Sequence, residues 1–375
     1  MTKFLPALFV FALALSACTN SNPKNEILIG EYASLTGTTA SYGQSSHKGL
    51  AMAIEEINAK GGVLGKKIRL ITEDDQSKPE EAASAVTKLI NRDKVKAIIG
   101  EFSSSKSLAA APICQFAKIP MLSPGSTNPD VTKKGDYIFR NCFIDPFQGE
   151  VLAKFAYNSL HIKRVAILTD VKNDYSVGLT QFFIDTFKAL GGTVIVEQAY
   201  SEGDTDFKAQ LTAIKSKKPE AIFLPGYYTE AALIMRQARE LNIMLPFIGG
   251  DGWDSAKLFE IGGDAINGSF YSNHYSSDNT DPIVQNFVQA YKAKYNQVPD
   301  AIAALGYDSG KMLADAITRA GSDEPEKIKM ALASTKDLQG VTGKITINQD
   351  RNAIKPAVIL AIRDGKLEFK ESVAP

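Results

Sequence analysis

Short apolar runs alternate with stretches of helical period along most of this chain, and five of the runs end in clusters of small or polar residues. The runs are Val95–Ile99, Ile119–Leu122, Val165–Leu168, Ala221–Leu224 and Phe247–Ile248. They lead into Gly100-Glu101-Phe102-Ser103-Ser104-Ser105, Ser123-Pro124-Gly125-Ser126-Thr127, Thr169-Asp170 on to Tyr175, Gly226-Tyr227-Tyr228, and Gly249-Gly250-Asp251-Gly252-Trp253. Strand–helix alternation implies parallel strands joined by right-handed helical crossovers. Open sheets of this kind bind ligands beyond the carboxyl ends of their strands. Hydroxyls, an acid and aromatic rings gathered there suit a small zwitterion with an apolar body.

The first α/β run starts with a buried strand at Ile27–Gly30. A helix over Gln44–Asn58 follows, with Leu50, Ala53, Ile54 and Ile57 on one face. Lys67–Thr72 is the next strand. Ser77 and Glu80 have the spacing of a capping box ahead of a helix over Pro79–Asn91. A helix from about Ser105 and a strand at Tyr137–Arg140 complete this run. The pattern then restarts with a helix over Phe147–Leu160. Strands at 165–168, 193–197, 221–224 and 247–248 are separated by helices near 174–190, 206–216, 229–241 and 255–261. Three further helices (about 283–294, 302–320 and 325–333) precede short strands at 344–347, 357–362 and 366–369. Two consecutive runs imply two lobes.

The amino terminus reads differently. Lys3 is the only charge ahead of Phe4–Leu15, a twelve-residue apolar run. That is too short to span a bilayer and normal for a signal peptide. It ends in Leu15-Ser16-Ala17-Cys18, which resembles the lipobox of a bacterial lipoprotein. The resemblance implies a signal peptide over 1–17, cleavage before Cys18 and acylation of its thiol, with 18–25 as a polar tether. Two or more acyl chains anchor a protein stably, whereas one does so only marginally. Cleavage takes 17 of 375 residues and leaves 358, a length that favours two domains. Lys+Arg and Asp+Glu each number 42, and no basic stripe appears, which argues against nucleic acid as a partner. Cys114 and Cys142 remain as either a disulfide pair or two buried thiols.

Catalytic signatures are sparse. Gly61-Gly62-Val63-Leu64-Gly65-Lys66-Lys67 lacks the Ser or Thr of a P-loop and follows a helix, so it is a helix stop and turn. Ser103–Ser105 has no nucleophile-elbow pattern. The three histidines, His47, His161 and His274, show no metal-ligand spacing. The first two read as helix-surface residues; His274, in Tyr271-Ser272-Asn273-His274-Tyr275, is placed to line a cleft. No metal or cofactor is expected.

Each residue of the strand-end clusters has an ordinary structural explanation: serines cap helices, and Asp251 between glycines suits a turn. Together they favour binding. A helix start offers free N–H groups and the positive end of a dipole to a carboxylate, and serine and threonine hydroxyls add donors. Asp251 is suited to an ammonium group.

The segments Ile54-Glu55-Glu56-Ile57-Asn58-Ala59-Lys60-Gly61-Gly62, Glu73-Asp74-Asp75-Gln76, Ile99-Gly100, Ser103-Ser104-Ser105, Ser123–Pro129 and Gly249–Trp253 resemble, in order, the leucine/isoleucine/valine-binding proteins, the type I substrate-binding proteins of ABC importers. The resemblance runs through nearly all of Glu26–Pro375. It implies two Rossmann-like α/β lobes joined by a three-crossover hinge, with lobe 1 over 26–143 plus 276–350 and lobe 2 over 144–275 plus 351–375. The ligand would lie between them. Carried over residue by residue, Ser104 and Thr127 would hold the α-carboxylate, and the Gly125 carbonyl with Asp251 would take the α-ammonium. Tyr42 would wall the side-chain pocket from lobe 1, with Ile302 near another wall position. Tyr175 and Tyr227 would close over the ligand from lobe 2. Some members carry a disulfide where this chain has Ser77 and Ser103, so that bridge is absent.

The expectation is a monomeric, lipid-anchored binding protein on the extracytoplasmic side. It performs no chemistry and delivers an aliphatic, branched-chain amino acid to an ABC permease with its ATPase subunits. The alternatives are binding of another small solute (an amide, urea or a different amino acid) and a sensory role.

Overall fold

The computed structural model describes residues 25–375; the signal peptide, Cys18 and nearly all of the tether lie outside them. The first lobe begins with β1 (Glu26–Ala33), α1 (Ala40–Ala59), β2 (Lys67–Asp74), α2 (Pro79–Asn91), β3 (Ala97–Ile99), α3 (Ser104–Ala117), β4 (Met121–Ser123) and β5 (Ile138–Arg140). Its sheet is wholly parallel in the order β2-β1-β3-β4-β5, with Gly30 of β1 opposite Ile71 on one side and Ile98 on the other. The chain then enters the second lobe through α4 (Asp145–Lys154), which continues as one π turn over Phe155–Ser159.

That lobe repeats the order. It comprises β6 (Arg164–Asp170), α5 (Asp174–Ala189), β7 (Thr193–Tyr200), α6 (Lys208–Lys217), β8 (Ala221–Phe223), α7 (Tyr228–Glu240), β9 (Phe247–Gly249), α8 (Ala256–Gly262) and β10 (Phe270–Asn273). The strands lie as β7-β6-β8-β9-β10. In both lobes the order reverses beside the first strand, so a crevice opens beyond the strand ends there. The chain returns to the first lobe as α9 (Pro282–Tyr295), α10 (Ala301–Ala320) and α11 (Pro325–Ala333), then a small sheet of β11 (Leu338–Gly340), β12 (Gly343–Ile347) and β13 (Ala353–Ile354). It crosses last into β14 (Ala357–Arg363) and β15 (Lys366–Val373), an antiparallel edge on the second sheet.

The strand interiors are apolar because both sheet faces are covered by helices. Ile27, Ile29, Ala97, Ile99, Leu122 and Phe139 join Leu313 and Ile317 of α10 in one core, and Val165–Leu168, Ala221–Phe223 and Phe247–Ile248 form another. Tyr42 and Phe102, from the first lobe, belong to the second lobe's buried cluster. The lobes therefore share apolar contact across their seam.

The three crossings lie side by side. His274 of the second stacks on Phe143 of the first, with ring centroids 3.8 Å apart. Lys355 of the third is buried and donates to the Asn141 carbonyl of the first at 3.0 Å and to the Thr342 hydroxyl. Thr342 in turn donates to Asp308 at 2.6 Å. Burial lowers the Lys355 ammonium to about 8 although Asp308 is close.

Several local expectations are corrected. Ser77 is not a helix cap: Lys78 holds that position without a side-chain bond, and Ser77, at φ 61°, instead donates to the Thr36 carbonyl. Helix α1 starts four residues earlier than its apolar period indicates, which places Tyr42 in its first turn. His161 follows a helix end at φ 58° and is not on a helix, whereas His47 lies on the surface of α1 as expected and is tied to the buried Glu31 at 2.6 Å. Of the two alternatives for Cys114 and Cys142, the structure has free, buried thiols.

Candidate functional site

The expected ligand contacts all sit where a strand hands over to the following segment, or at a helix start facing such an end. Tyr42 follows β1, Ser104 follows β3, and Gly125 and Thr127 follow β4. Tyr175 follows β6, Tyr227 caps α7 after β8, and Asp251 opens a 3-10 turn after β9. Ile302 lies in the first turn of α10 and joins the cluster that contains Tyr42. All eight are buried.

The aromatic wall is continuous across the seam. The Tyr42 ring meets Phe102 at 4.8 Å, Tyr228 at 5.0 Å and Tyr227 at 5.3 Å between centroids, and Tyr227 stacks on Tyr175 at 5.6 Å. Polar ends of these rings tie the lobes together. Tyr42 donates to the Gly252 carbonyl, Tyr227 donates to Ser103 Oγ at 2.9 Å, and Tyr228 donates to the Thr38 carbonyl at 2.9 Å. Asn128 Nδ2 donates to the Asp174 carbonyl at 2.9 Å. Burial pushes the phenols of Tyr42, Tyr175 and Tyr227 well up, so they stay neutral donors. Gly125 is needed for close approach, since a methyl there would overlap the Phe102 ring.

The polar floor is held from beneath. Arg140, fully buried, donates to the carbonyls of Ser126 (2.5 Å) and Asn128 (2.8 Å), which fixes the loop that carries Thr127. Ser104 Oγ accepts from the Asn128 amide at 3.2 Å, leaving its own O–H to donate elsewhere. Asp251 accepts from Gln148 Nε2 at 2.7 Å on one oxygen and pairs with His274 Nε2 at 2.9 Å on the other. Burial lowers the His274 pKa, so the ring is neutral and the bond to the carboxylate places its proton on Nε2. Each oxygen of Asp251 keeps a lone pair.

Sequence reasoning missed three of these groups: Phe102, Gln148 and Asp145. Asp145 is fully buried beside Thr127, its amide bonded to the Thr127 carbonyl at 3.0 Å, and neither carboxyl oxygen has a partner. Burial and the nearby Asp251 hold its carboxyl well above the usual range. Nothing marks it in the sequence, where Asp145-Pro146 reads as an ordinary helix start. Phe102 was passed over as a link within the serine cluster. Gln148 has an apolar-helix context and meets Asp251 from 103 positions away. Two buried acids with hydroxyls opposite and rings around them can hold an ammonium and a carboxylate out of water. Among the described residues no group of three or more His, Cys, Asp and Glu is arranged to hold a metal ion.

Two doubly wound lobes, three adjoining crossings and a buried seam of hydroxyls, acids and aromatics define a type I solute-binding protein. A family model described as periplasmic binding protein matches residues 26–366, and the chain belongs to this family, within it to the leucine/isoleucine/valine-binding proteins. The Leu/Ile/Val-binding protein BraC3 of Rhizobium johnstonii is 34% identical over 350 residues, 92% of this chain and 93% of that protein. A leucine-binding protein, LivK, from Thermotoga maritima superposes with a TM-score of 0.90 at 43% identity, covering 93% of this chain and 99% of that one. The substrate-binding protein LivJ of Streptococcus pneumoniae, solved with isoleucine, gives a TM-score of 0.89 at 36% identity, covering 93% of this chain and all of that one.

Proposed function

We propose that this protein is the extracytoplasmic solute-binding component of an ABC importer and takes an aliphatic, branched-chain L-amino acid between its lobes. The observation that carries this reading is the buried set of zwitterion partners drawn from both lobes: Ser104 and Thr127 hydroxyls on one side, the Asp251 carboxylate on the other, and Tyr42, Phe102, Tyr175 and Tyr227 around them. Ser104 and Thr127 take the α-carboxylate. The Gly125 carbonyl and Asp251 take the ammonium, which needs a compensating anion once it leaves water. The rings and Ile302 surround the side chain. That relatives of this length and similarity are named for leucine, isoleucine and valine supports the ligand class.

The mechanism is a population shift. A ligand that touches both lobes favours the closed state by its differential affinity, and the crossings act as the hinge. The permease receives the closed form. Acylated Cys18 holds the protein at the membrane, and the polar segment that follows gives it reach.

A thermal-shift screen of the soluble chain from Glu26 onward against all amino acids and common small solutes tests this. At 100 times its dissociation constant a ligand adds about 2.7 kcal/mol. Stabilisation by leucine, isoleucine or valine supports the reading. Stabilisation only by urea or uncharged amides overturns the ligand class, and consumption of the ligand in proportion to protein overturns the transport role.

A further inference from the structure

Two carboxyl groups from opposite lobes meet at one helix start on the seam, outside the amino-acid contacts. Asp300 is the N-cap of α10, and its Oδ1 accepts from the Ala303 amide at 2.8 Å and from Ser45 Oγ. Asp254 comes from the second lobe, three residues after Asp251, and its Oδ2 accepts from the Ala301 amide at 2.7 Å. Its other oxygen accepts from Tyr271 at 3.1 Å. The carboxyl of the second lobe therefore docks on the residue that follows the carboxyl of the first. A helix start stabilises one anion with its free N–H groups and dipole. The second anion, brought there by closure, lies beside the first where Asp254 is buried and Asp300 is partly exposed, both lining a cavity of about 290 Å³.

The charged groups around the pair are mixed in sign: Asp278 and Lys366 line the cavity that both carboxyls share, and Lys257 and Glu260 line the groove beside Asp300. From α1 comes Lys48, whose ammonium is engaged by Gln297 at 2.9 Å. Tyr291 of α9 and Tyr275 face Asp300 with neutral phenols. Tyr271 and Asn273 of β10 donate to Asp254, and His274 beside it is kept neutral by burial. Asp254 itself is 5% exposed.

We propose that lobe closure takes up a proton at the Asp254–Asp300 pair, so that this protein grips its ligand more tightly as the medium becomes more acidic. The proposal rests on the reading that the lobes open and close around an amino acid. In the open form the two groups separate and titrate as ordinary carboxyls, near pH 4. In the closed form burial raises both, and repulsion from Asp254 raises Asp300 further. The sign follows: the closed state binds the extra proton, so closure is favoured below the raised pKa and the advantage is lost as pH rises through it. Neither leucine nor isoleucine titrates in that window.

The test uses the protein as isolated from membranes in detergent, its Asp254→Asn and Asp300→Asn variants, and isoleucine as the probe. Both variants keep an oxygen for the helix start, and Asn caps helices as well as Asp. Calorimetric titration in buffers of different ionisation enthalpy counts protons. The parent takes up protons on binding near neutral pH, and its affinity falls by up to about a hundredfold from about pH 5 to about pH 8, as one carboxyl raised from about 4 to about 7 allows. Asp145, Asp75 and Asp170 also carry raised carboxyls, so the difference between parent and variants is the quantity read. Each variant binds with less uptake and a flatter pH profile. The single tryptophan, Trp253, is fully buried next to Asp254 and reads the seam without ligand. Its emission moves to the red with rising pH in the parent and not in the variants. Equal proton uptake in parent and both variants, or a pH-independent Trp253 signal in the parent, overturns the proposal. If isoleucine binds at no pH, the amino-acid reading fails instead, and the Trp253 titration still decides this one.

Discussion

The hydroxyl of Tyr227 in the second lobe donates to Ser103 Oγ in the first at 2.9 Å, while the Tyr227 ring stacks on Tyr175. Ser103 is itself pinned through its amide to Glu101. One side chain thus supplies both apolar wall and lobe-to-lobe bond. Tyr227→Phe keeps the ring and removes the bond. A net hydrogen bond of about 0.5–1.5 kcal/mol corresponds to a loss of roughly 2- to 12-fold in ligand affinity, with the melting temperature of the unliganded chain nearly unchanged. Titration calorimetry alongside thermal melting checks both halves.

Asp251→Ala removes the proposed partner of the ligand ammonium. Deleting one member of a buried, hydrogen-bonded charge pair costs about 2–5 kcal/mol, roughly 30- to 5000-fold in affinity. The same change frees Gln148 Nε2 of one of its two acceptors and His274 of its only one, yet the second-lobe core is untouched. Calorimetric titration with the best amino acid from the screen should show that loss. Binding within twofold of the parent would remove Asp251 from the site.

Asp145 is expected to trade stability for binding. Its folded-state carboxyl is raised, chiefly by burial, above its unfolded value. The resulting penalty is absent below the unfolded pKa, about pH 4, and grows as pH rises toward the folded value. Asp145→Asn should therefore melt higher than the parent at pH 7 and alike near pH 4, by about 1–2 °C for each kcal/mol, since unfolding entropy grows by about 2.1 cal/mol/K per residue. Ligand affinity should fall at the same time, because the amide cannot ionise beside an incoming ammonium as the carboxyl can. Melts at the two pH values and one titration decide the matter; a lower melting point at pH 7 would contradict it.

The two thiols should be silent. Cys114 and Cys142 are both fully buried, and burial pushes the Cys142 thiol up to about 12 and the Cys114 thiol higher still. The soluble chain from Glu26 onward should give almost no reaction with a thiol-specific dye when folded, and two equivalents after denaturation. A rapid reaction in the native state would show that the seam or the α3 packing opens more readily than described.

Cys18→Ser should move the protein from membranes to the soluble extracytoplasmic fraction, since the acyl chains on that thiol are its proposed anchor. Fractionation of cells expressing each form, with a high-salt wash, measures it. A variant that still sediments with membranes has another means of attachment.

The repeating α/β order was legible because strands buried on both faces are apolar without interruption, and helices such as Leu50–Ile57 of α1 repeat on one face. β10 was not legible. Phe270-Tyr271-Ser272-Asn273 mixes polar and aromatic residues, and it is a strand because β9 and β14 flank it. The strand-end residues were visible as a set, since small and polar clusters after apolar runs are local patterns. The pairing of Asp251 with His274 and Gln148 was not, because it depends on how crossings fold beside one another. Ser77 shows the opposite error: the capping-box spacing is present, but its hydroxyl is taken by the Thr36 carbonyl and its backbone is turned into the left-handed region. Tyr42 likewise gave no sign of reaching Gly252 from 210 positions away.

Tyr42 and Phe102 share one buried cluster with the strands of the opposite lobe. On the mechanism proposed above, each empty, gaping molecule wets those rings together with Tyr175 and Tyr227, making a sticky patch of the kind that nucleates clumping. A supply of nutrient then does more than load the carrier: it keeps the carrier from associating with its neighbours. Starvation should shorten its lifetime outside the cell membrane, and stocks of the purified protein should store best with ligand present.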